Sequence, residues 1–205
     1  MFTGIVQGMG RIKQVHEGHD QRSFIITLPE ALSQAVEIGA SVAVNGTCLT
    51  VTGQQGCDLN FDVIGQTLSL TNLGLQQQGS LVNIERSLKM GDELGGHIIS
   101  GHVTTAIKVT AVEHQDDNTS IWFALPQDHQ KHVLPQGFIG LNGCSLTVAN
   151  VEDTRFSVCL IPETLRMTTF GNSQVGDMVN MEIDHQTQTI VATVERVLQA
   201  QKNNN

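Results

Sequence analysis

The chain has 205 residues, 40% hydrophobic and 15% charged, enough for one domain or two small ones, each with its own core. The formal net charge is -9 and the 11 Lys and Arg are scattered, so neither a basic nucleic-acid face nor a polybasic membrane patch is expected. Residues 1–10 lack the basic and apolar pattern of an export signal, no apolar run approaches the roughly 20 residues that span a bilayer, and Cys48, Cys57, Cys144 and Cys159 lack C-x-x-C spacing, so a cytoplasmic protein with reduced thiols is expected.

Taken in chain order, residues 24–26, 42–44, 49–51, 59–63 and 81–85 read as short strands, rich in β-branched residues and bounded by turn residues. Leu59, Phe61 and Val63 alternate with Asn60 and Asp62, the period of a half-buried strand. Gln34, Ala35 and Val36, following Leu28-Pro29-Glu30, read as a short helix. A Gly-rich link over 91–98 follows, and then the pattern recurs, with strands at 121–124, 138–140, 146–148, 156–160 and 178–183. Another short helical segment is expected after Leu125-Pro126-Gln127. Short strands in such numbers suggest a small closed barrel in each half, which leaves no open edge.

The recurrence is a repeat at a constant offset of 97 residues. Gly4 and Val6 match Gly101 and Val103; Asn45-Gly46 matches Asn142-Gly143; Leu49-Thr50-Val51 matches Leu146-Thr147-Val148. Thr67-Leu68, Gly74, Gly79, Val82-Asn83 and Glu85 match Thr164-Leu165, Gly171, Gly176, Val179-Asn180 and Glu182. Shared composition alone would not hold one register through every loop. The chain is therefore divided into 1–97, 98–185 and a tail, 186–205.

The tail has a different period. Ile190, Val194, Val197 and Gln201, with Val191 and Leu198 alongside, step by three and four, as on one face of a helix. Such a helix either folds back on a barrel or assembles subunits, and fewer than three heptads leave both open.

Two segments concentrate polar groups. In each Asn-Gly-x-x-Leu-Thr-Val unit the turn is followed by Cys48 and Thr50, or by Ser145 and Thr147, at alternate strand positions. Such positions can line a barrel mouth and bond a planar ligand, although strand threonines and a packed cysteine are an equally ordinary reading. The segment from Gly95 to Val103 carries His97 and His102, five apart and without a Cys or His cluster, so no metal site is expected. His102 stands where the first half has Ile5, so the halves differ there. No Walker, dinucleotide-loop, His-Glu-x-x-His or G-x-S-x-G motif occurs.

At these residues the sequence closely resembles the riboflavin synthase α-chain family over nearly its full length. The resemblance rests on Met1-Phe2-Thr3-Gly4-Ile5-Val6, Asn45-Gly46-Thr47-Cys48-Leu49-Thr50-Val51, Gly95-Gly96-His97-Ile98-Ile99-Ser100-Gly101-His102, Gly137-Phe138-Ile139-Gly140 and Ile161-Pro162-Glu163-Thr164-Leu165. It implies an all-β fold of two tandem six-stranded Greek-key barrels, one over 1–97 and one over 98–185, each binding a lumazine, plus a C-terminal helix that holds a homotrimer. It also implies a transferase of riboflavin biosynthesis that needs no cofactor or metal. Two molecules of 6,7-dimethyl-8-ribityllumazine would meet between the first barrel of one subunit and the second barrel of its neighbour, giving riboflavin and 5-amino-6-(ribitylamino)uracil.

Carried to matching positions, the family's functional residues give candidate catalytic groups His102, Cys48 and Ser41. One pocket is expected from Gly4, Ile5, Val6, Leu49, Thr50, Asp62, Val63, Ile64, Gly65, Gln66 and Thr67. The facing one is expected from Gly101, Val103, Gln136, Ser145, Leu146, Thr147, Ile161, Pro162, Glu163, Thr164, Leu165 and Arg166, with Asp184 supporting it. His102 is favoured for proton transfer because imidazole titrates near neutrality. Gln136 stands where the family is expected to have lysine, Gly65-Gln66 where a lysine–glutamate pair is expected, and Asn142 where aspartate is expected, which bears on affinity. The alternative is a non-catalytic lumazine- or flavin-binding fluorescent antenna protein, a relative expected to lose the cysteine and the second histidine. A flavin-dependent reductase would need a nucleotide-binding domain for which the chain has no room.

Overall fold

The structure is a computed structural model, and it describes residues 1–115 and 118–203. Strands β1 (Gly8–Gly18), β2 (Gln21–Thr27), β3 (Ser41–Val44), β4 (Thr47–Gln55), β5 (Asp58–Ile64) and β6 (Leu81–Arg86) close an antiparallel barrel in the order β1-β2-β5-β4-β3-β6. Strands β7 (Thr105–Gln115), β8 (Asn118–Ala124), β9 (Phe138–Leu141), β10 (Cys144–Val151), β11 (Arg155–Leu160) and β12 (Met178–Ile183) close a second barrel in the same Greek-key order. Closure pairs every strand on both sides, so neither barrel presents an open edge.

Each barrel has its own apolar interior. In the first, Phe24 and Phe61 face each other across β2 and β5 and pack with Ile12, Ile26, Leu59 and Ile84. In the second, the Phe123 and Phe156 rings lie 5.6 Å apart among Val109, Ile121 and Val158. Burial of each such side chain is worth about 1.5–3 kcal/mol. The barrel interiors are thus solid cores, and ligand chemistry belongs on their outer faces.

Five strands per half are legible from residue pattern, and the structure has six. The missed first strand, β1, turns Gly8, Gly10 and Ile12 inward, so two of its core positions carry no side chain to reveal the alternation. A Cβ on Gly10 would sit 2.9 Å from Ile26 Cγ2, so the barrel packs too tightly there for anything larger. Its twin β7 carries a bulge between Val109 and Ala111, which breaks the two-residue period. The helix expected at Gln34, Ala35 and Val36 is instead α1 (Glu30–Ser33), one turn that ends when Gln34 becomes extended and Ala35 adopts a positive φ of 51°. Its twin is a 3₁₀ turn over Gln127–His132. Single-turn helices α2 (Gly65–Leu70) and α3 (Pro162–Met167) follow the fifth strand of each barrel.

The barrels meet about a pseudo-two-fold axis. Phe2 and Ile99, equivalent in the repeat, exchange backbone hydrogen bonds of 2.8 and 3.0 Å and are both buried. Gly46 and Gly143, also equivalent, abut so closely that a Cβ on Gly46 would lie 2.5 Å from Gly143 N. Both have positive φ, 76° and 81°, as the Asn-Gly turns require. Around them the Asn83 amide donates to the Asn142 carbonyl at 2.9 Å and the Asn180 amide to the Asn45 carbonyl at 2.8 Å. Satisfied buried polar groups fix register in a way an apolar contact would not.

Helix α4 (His185–Asn203) leaves the second barrel, and the remainder of the expected tail lies outside the described residues. Asp184 caps it, accepting from Thr187 N at 2.8 Å and Thr187 Oγ1 at 2.7 Å. The helix touches its own chain at the 3₁₀ turn, where Lys131 pairs with Glu195 at 2.6 Å. Ile190, Val194, Val197 and Leu198 stay about half exposed or more. Among the described residues no helix is long and apolar enough to cross a membrane.

Candidate active site

Two extended arms, 1–7 and 98–104, build the site. Each is anchored at its own barrel and then crosses to the other. The Glu85 carboxylate on β6 accepts from Thr3 N, Thr3 Oγ1 and Gly4 N at 2.6, 2.7 and 3.1 Å. Glu182 on β12 repeats this with Ser100 N, Ser100 Oγ and Gly101 N at 2.7, 2.7 and 3.0 Å. Beyond the anchor the Gly4 carbonyl accepts from Ser145 N of β10 at 2.8 Å, and the Gly101 carbonyl accepts from Cys48 N of β4 at 2.9 Å. The sequence-based grouping of Gly4, Ile5 and Val6 with Leu49 and Thr50, and of Gly101 and Val103 with Ser145, is therefore corrected: the arms are exchanged.

Two glycines permit the exchange. Gly4 and Gly101 have φ of 75° and 83°, and a Cβ on either would fall 2.5 Å from the Cβ of Ser145 or Cys48, respectively. Only glycine lets the arm lie flat on the neighbouring strand.

On the second barrel a shallow cavity of about 320 Å³ opens between the first arm, β10 and α3. Gly4, Ile5, Val6, Ser145, Leu146, Glu163 and Thr164 line it, together with Cys144 and Met167. His97 adjoins its polar end. Its backbone N donates to Ser145 Oγ at 3.1 Å, and Nδ1 lies 2.6 Å from the same oxygen. A serine hydroxyl that accepts from the backbone satisfies a neutral ring by donating to Nδ1. Burial pushes the His97 imidazole below its ordinary range, opposed by the nearby Asp184 carboxylate. Burial also opposes ionisation of Asp184, yet the Thr187 and Gln186 donors and His97 outweigh it and hold that carboxyl low. Burial pushes the Cys144 thiol up to about 12, which makes it a packing group and no nucleophile.

On the first barrel the repeat puts Gly101, His102 and Val103 in the matching place against Cys48. Strand pleating turns Leu49 and Val51 into the core and leaves Cys48 and Thr50 outside. Ser41 pairs directly with Thr50 and Ala43 with Cys48. His102 is exposed, and its backbone N donates to Ser100 Oγ at 3.1 Å. The outer face of the first barrel thus carries a thiol and two hydroxyls, with the arm that bears His102 lying against it. The second has Ser145 for Cys48, Phe138 for Ser41 and Ile5 for His102, and gains His97, for which the repeat has no earlier counterpart.

Leu49 and Val63 send their side chains into the first core, so only their main chain faces outward. Ile64 precedes α2, which Gly65, Gln66 and Thr67 begin, and Ile161 precedes α3, which holds Pro162, Glu163, Thr164, Leu165 and Arg166, at matching barrel ends. Asp62 lies on the outer face of β5 and accepts from Ser23 Oγ at 2.5 Å. Glu163 and Arg166 are exposed and pair with each other at 2.6 Å. Thr147 pairs with Phe138 across β10 and β9. Gln136 sits in an exposed turn with φ 64°. Asn142 lies in the seam between the barrels, accepting from Asn180 N at 2.8 Å and Asn72 Nδ2 at 3.1 Å, so that departure bears on barrel docking. His97, Cys144 and Met167 are absent from the site assignment made from sequence; the proximity of His97 to Ser145 depends on the fold alone.

The lumazine binding domain model matches twice, over residues 3–87 and 100–184. The chain is 49% identical over 205 residues to riboflavin synthase of Escherichia coli (strain K12), covering 99% of this chain and 96% of that one. It is 41% identical to riboflavin synthase of Buchnera aphidicola subsp. Schizaphis graminum (strain Sg), covering 97% and 96%. Among solved structures it is similar to LumP complexed with riboflavin, with a TM-score of 0.84 at 30% identity, covering 90% of this chain and 100% of that one. LumP complexed with 6,7-dimethyl-8-(1'-D-ribityl) lumazine gives 0.81 at 30% identity over 89% and 98%.

Proposed function

Since the chain belongs to the riboflavin synthase family, we propose that it makes riboflavin from two molecules of 6,7-dimethyl-8-ribityllumazine, one held on each barrel. A four-carbon unit passes from one lumazine to the other, and the donor leaves as 5-amino-6-(ribitylamino)uracil. The observation that carries this reading is the pair of equivalent but chemically different outer-face sites, each completed by the other half's arm. A reaction between two identical substrates needs two sites that treat them differently.

The chemistry asks for little more than position and proton handling. The two rings must be stacked in a reactive orientation, which supplies much of the rate. A proton leaves the C7 methyl of one lumazine, the resulting anion is stabilised, and a nucleophile adds to the other. On the first barrel His102 moves or holds the proton, with Cys48 and Ser41 as the polar groups beside it. On the second barrel Ser145 and His97 form a neutral hydrogen-bonded pair at the cavity's polar end. No metal or coenzyme enters the scheme.

Pockets on outer faces invite a second subunit to close them. The reading places the first barrel of one subunit against the second barrel of its neighbour in a homotrimer, with α4 as the assembling element. The half-exposed Ile190, Val194, Val197 and Leu198 support this, because an apolar helical seam left uncovered among the described residues is suited to a partner helix. The four free thiols suit a reducing compartment, and the reading places the chain in the cytoplasm.

The LumP complexes favour a second reading, a protein that holds a lumazine or flavin unchanged. Retention of Cys48, His102, Ser145 and Thr147 favours the enzyme. Incubation of the purified chain with 6,7-dimethyl-8-ribityllumazine separates the two: the enzyme consumes two lumazines for each riboflavin formed, whereas a holder leaves the ligand bound and unaltered.

A further inference from the structure

Each pocket depends on a carboxylate that belongs to the opposite barrel. Glu182 stands on β12 of the second barrel, yet the arm it grips ends on β4 of the first. Its Oε1 accepts from both donors of Ser100, and Ser100 Oγ in turn accepts from His102 N at 3.1 Å. Its Oε2 accepts from Gly101 N, whose own carbonyl takes the Cys48 amide. Glu182 is therefore two hydrogen bonds from the backbone of both His102 and Cys48. Glu85 is built alike: it holds Thr3 and Gly4, Thr3 Oγ1 accepts from Ile5 N at 3.3 Å, and the Gly4 carbonyl takes the Ser145 amide. Both glutamates are buried, and neither lines the cavity at Ser145.

We propose that Glu182 and Glu85 are positioning residues acting across the barrel boundary: Glu182 sets the His102–Cys48 pocket of the first barrel, and Glu85 sets the Ser145 pocket of the second. The catalytic meaning of the two pockets rests on the function proposed above; the cross-wiring rests on the hydrogen bonds alone. Three donors converge on each carboxylate, so both oxygens are required as acceptors. A glutamine at either place turns an NH2 toward one of those donors. It therefore loosens the glycine arm while preserving size, and each variant serves as the matched control for the other.

Amide hydrogen exchange reads the wiring directly, because the Cys48 and Ser145 amides are the bonds at the far end of each arm. In the full chain, Glu182→Gln should speed exchange at Cys48 by about tenfold or more and leave Ser145 unchanged; Glu85→Gln should do the reverse. Ser100→Ala and Thr3→Ala, which keep the carboxylates and remove one donor each, should give smaller shifts at the same two amides. These milder variants decide the matter if a glutamine variant fails to fold. Lumazine turnover should fall in both glutamine variants, since each pocket is needed. Exchange that speeds at the amide of the same barrel, or equally at both, would overturn the proposal. The readout needs neither ligand nor turnover, so a chain that fails to make riboflavin refutes the functional reading without touching this one.

Discussion

Phe138 stacks on His97, with ring centroids 5.1 Å apart and planes inclined by 18°, while Ser145 Oγ closes on Nδ1 of the same imidazole at 2.6 Å. The stack and the hydroxyl together fix the ring, and burial depresses its pKa below the ordinary value of 6.5. A histidine that is harder to protonate folded than unfolded lowers stability as pH falls. The loss begins near 6.5 and is complete once pH drops below the folded value. An NMR titration should therefore place the His97 midpoint below 6.5, and Phe138→Ala, which opens the site to water, should move it back up. A midpoint at or above 6.5 in the parent chain contradicts the buried, neutral ring.

His102 differs from His97 in being exposed and backbone-anchored, free to meet a substrate. His102→Ala should lower kcat by about 10²–10⁴, the range for a lost acid or base, while lumazine affinity changes far less. Steady-state kinetics with a binding titration checks this. A change confined to affinity would move His102 out of proton transfer.

The seam between barrels sets a stability contrast. Gly143→Ala puts a methyl 2.8 Å from Gly46 N and forces a non-glycine residue to φ 81°. Gly39→Ala imposes a similar backbone penalty, φ 91°, with nothing within 4 Å. The backbone term is about 1–2 kcal/mol for either. The seam variant should cost clearly more, because a backbone and not a flexible side chain must yield. Equal losses in thermal unfolding would show that the Gly46–Gly143 contact does not hold the barrels together.

How much of this was legible from the residues alone divides along physical lines. The repeat, five strands of each barrel and the α4 period stand out because apolar spacing carries them. Strand β1 does not, since Gly8 and Gly10 fill core positions without side chains. Cys48, Ser145, Thr50 and Thr147 were visible as alternate polar strand positions. The exchanged arms were not: bonds from Cys48 to Gly101 and from Ser145 to Gly4 span 53 and 141 residues of chain, and no local pattern encodes them. The only trace was the pair of glycines with left-handed φ, whose partners sequence spacing cannot name.

Helix α4 carries the assembly prediction. Deletion of 186–205 removes the uncovered seam and the Lys131–Glu195 contact but leaves both barrel cores intact. The shortened chain should elute as a folded monomer and lose turnover, because pockets of neighbouring subunits no longer face each other. A trimer that survives the deletion would take that role from the helix.

One chain of the proposed enzyme carries two working pockets. An 8-ribityllumazine with an oxo group in place of the C7 methyl has no proton to give and cannot react, so it counts sites without consuming them. Calorimetric titration should find two molecules bound per chain, with unequal affinities that reflect Cys48 and His102 on one barrel against Ser145 and His97 on the other. One molecule per chain, with the second barrel silent, would contradict it.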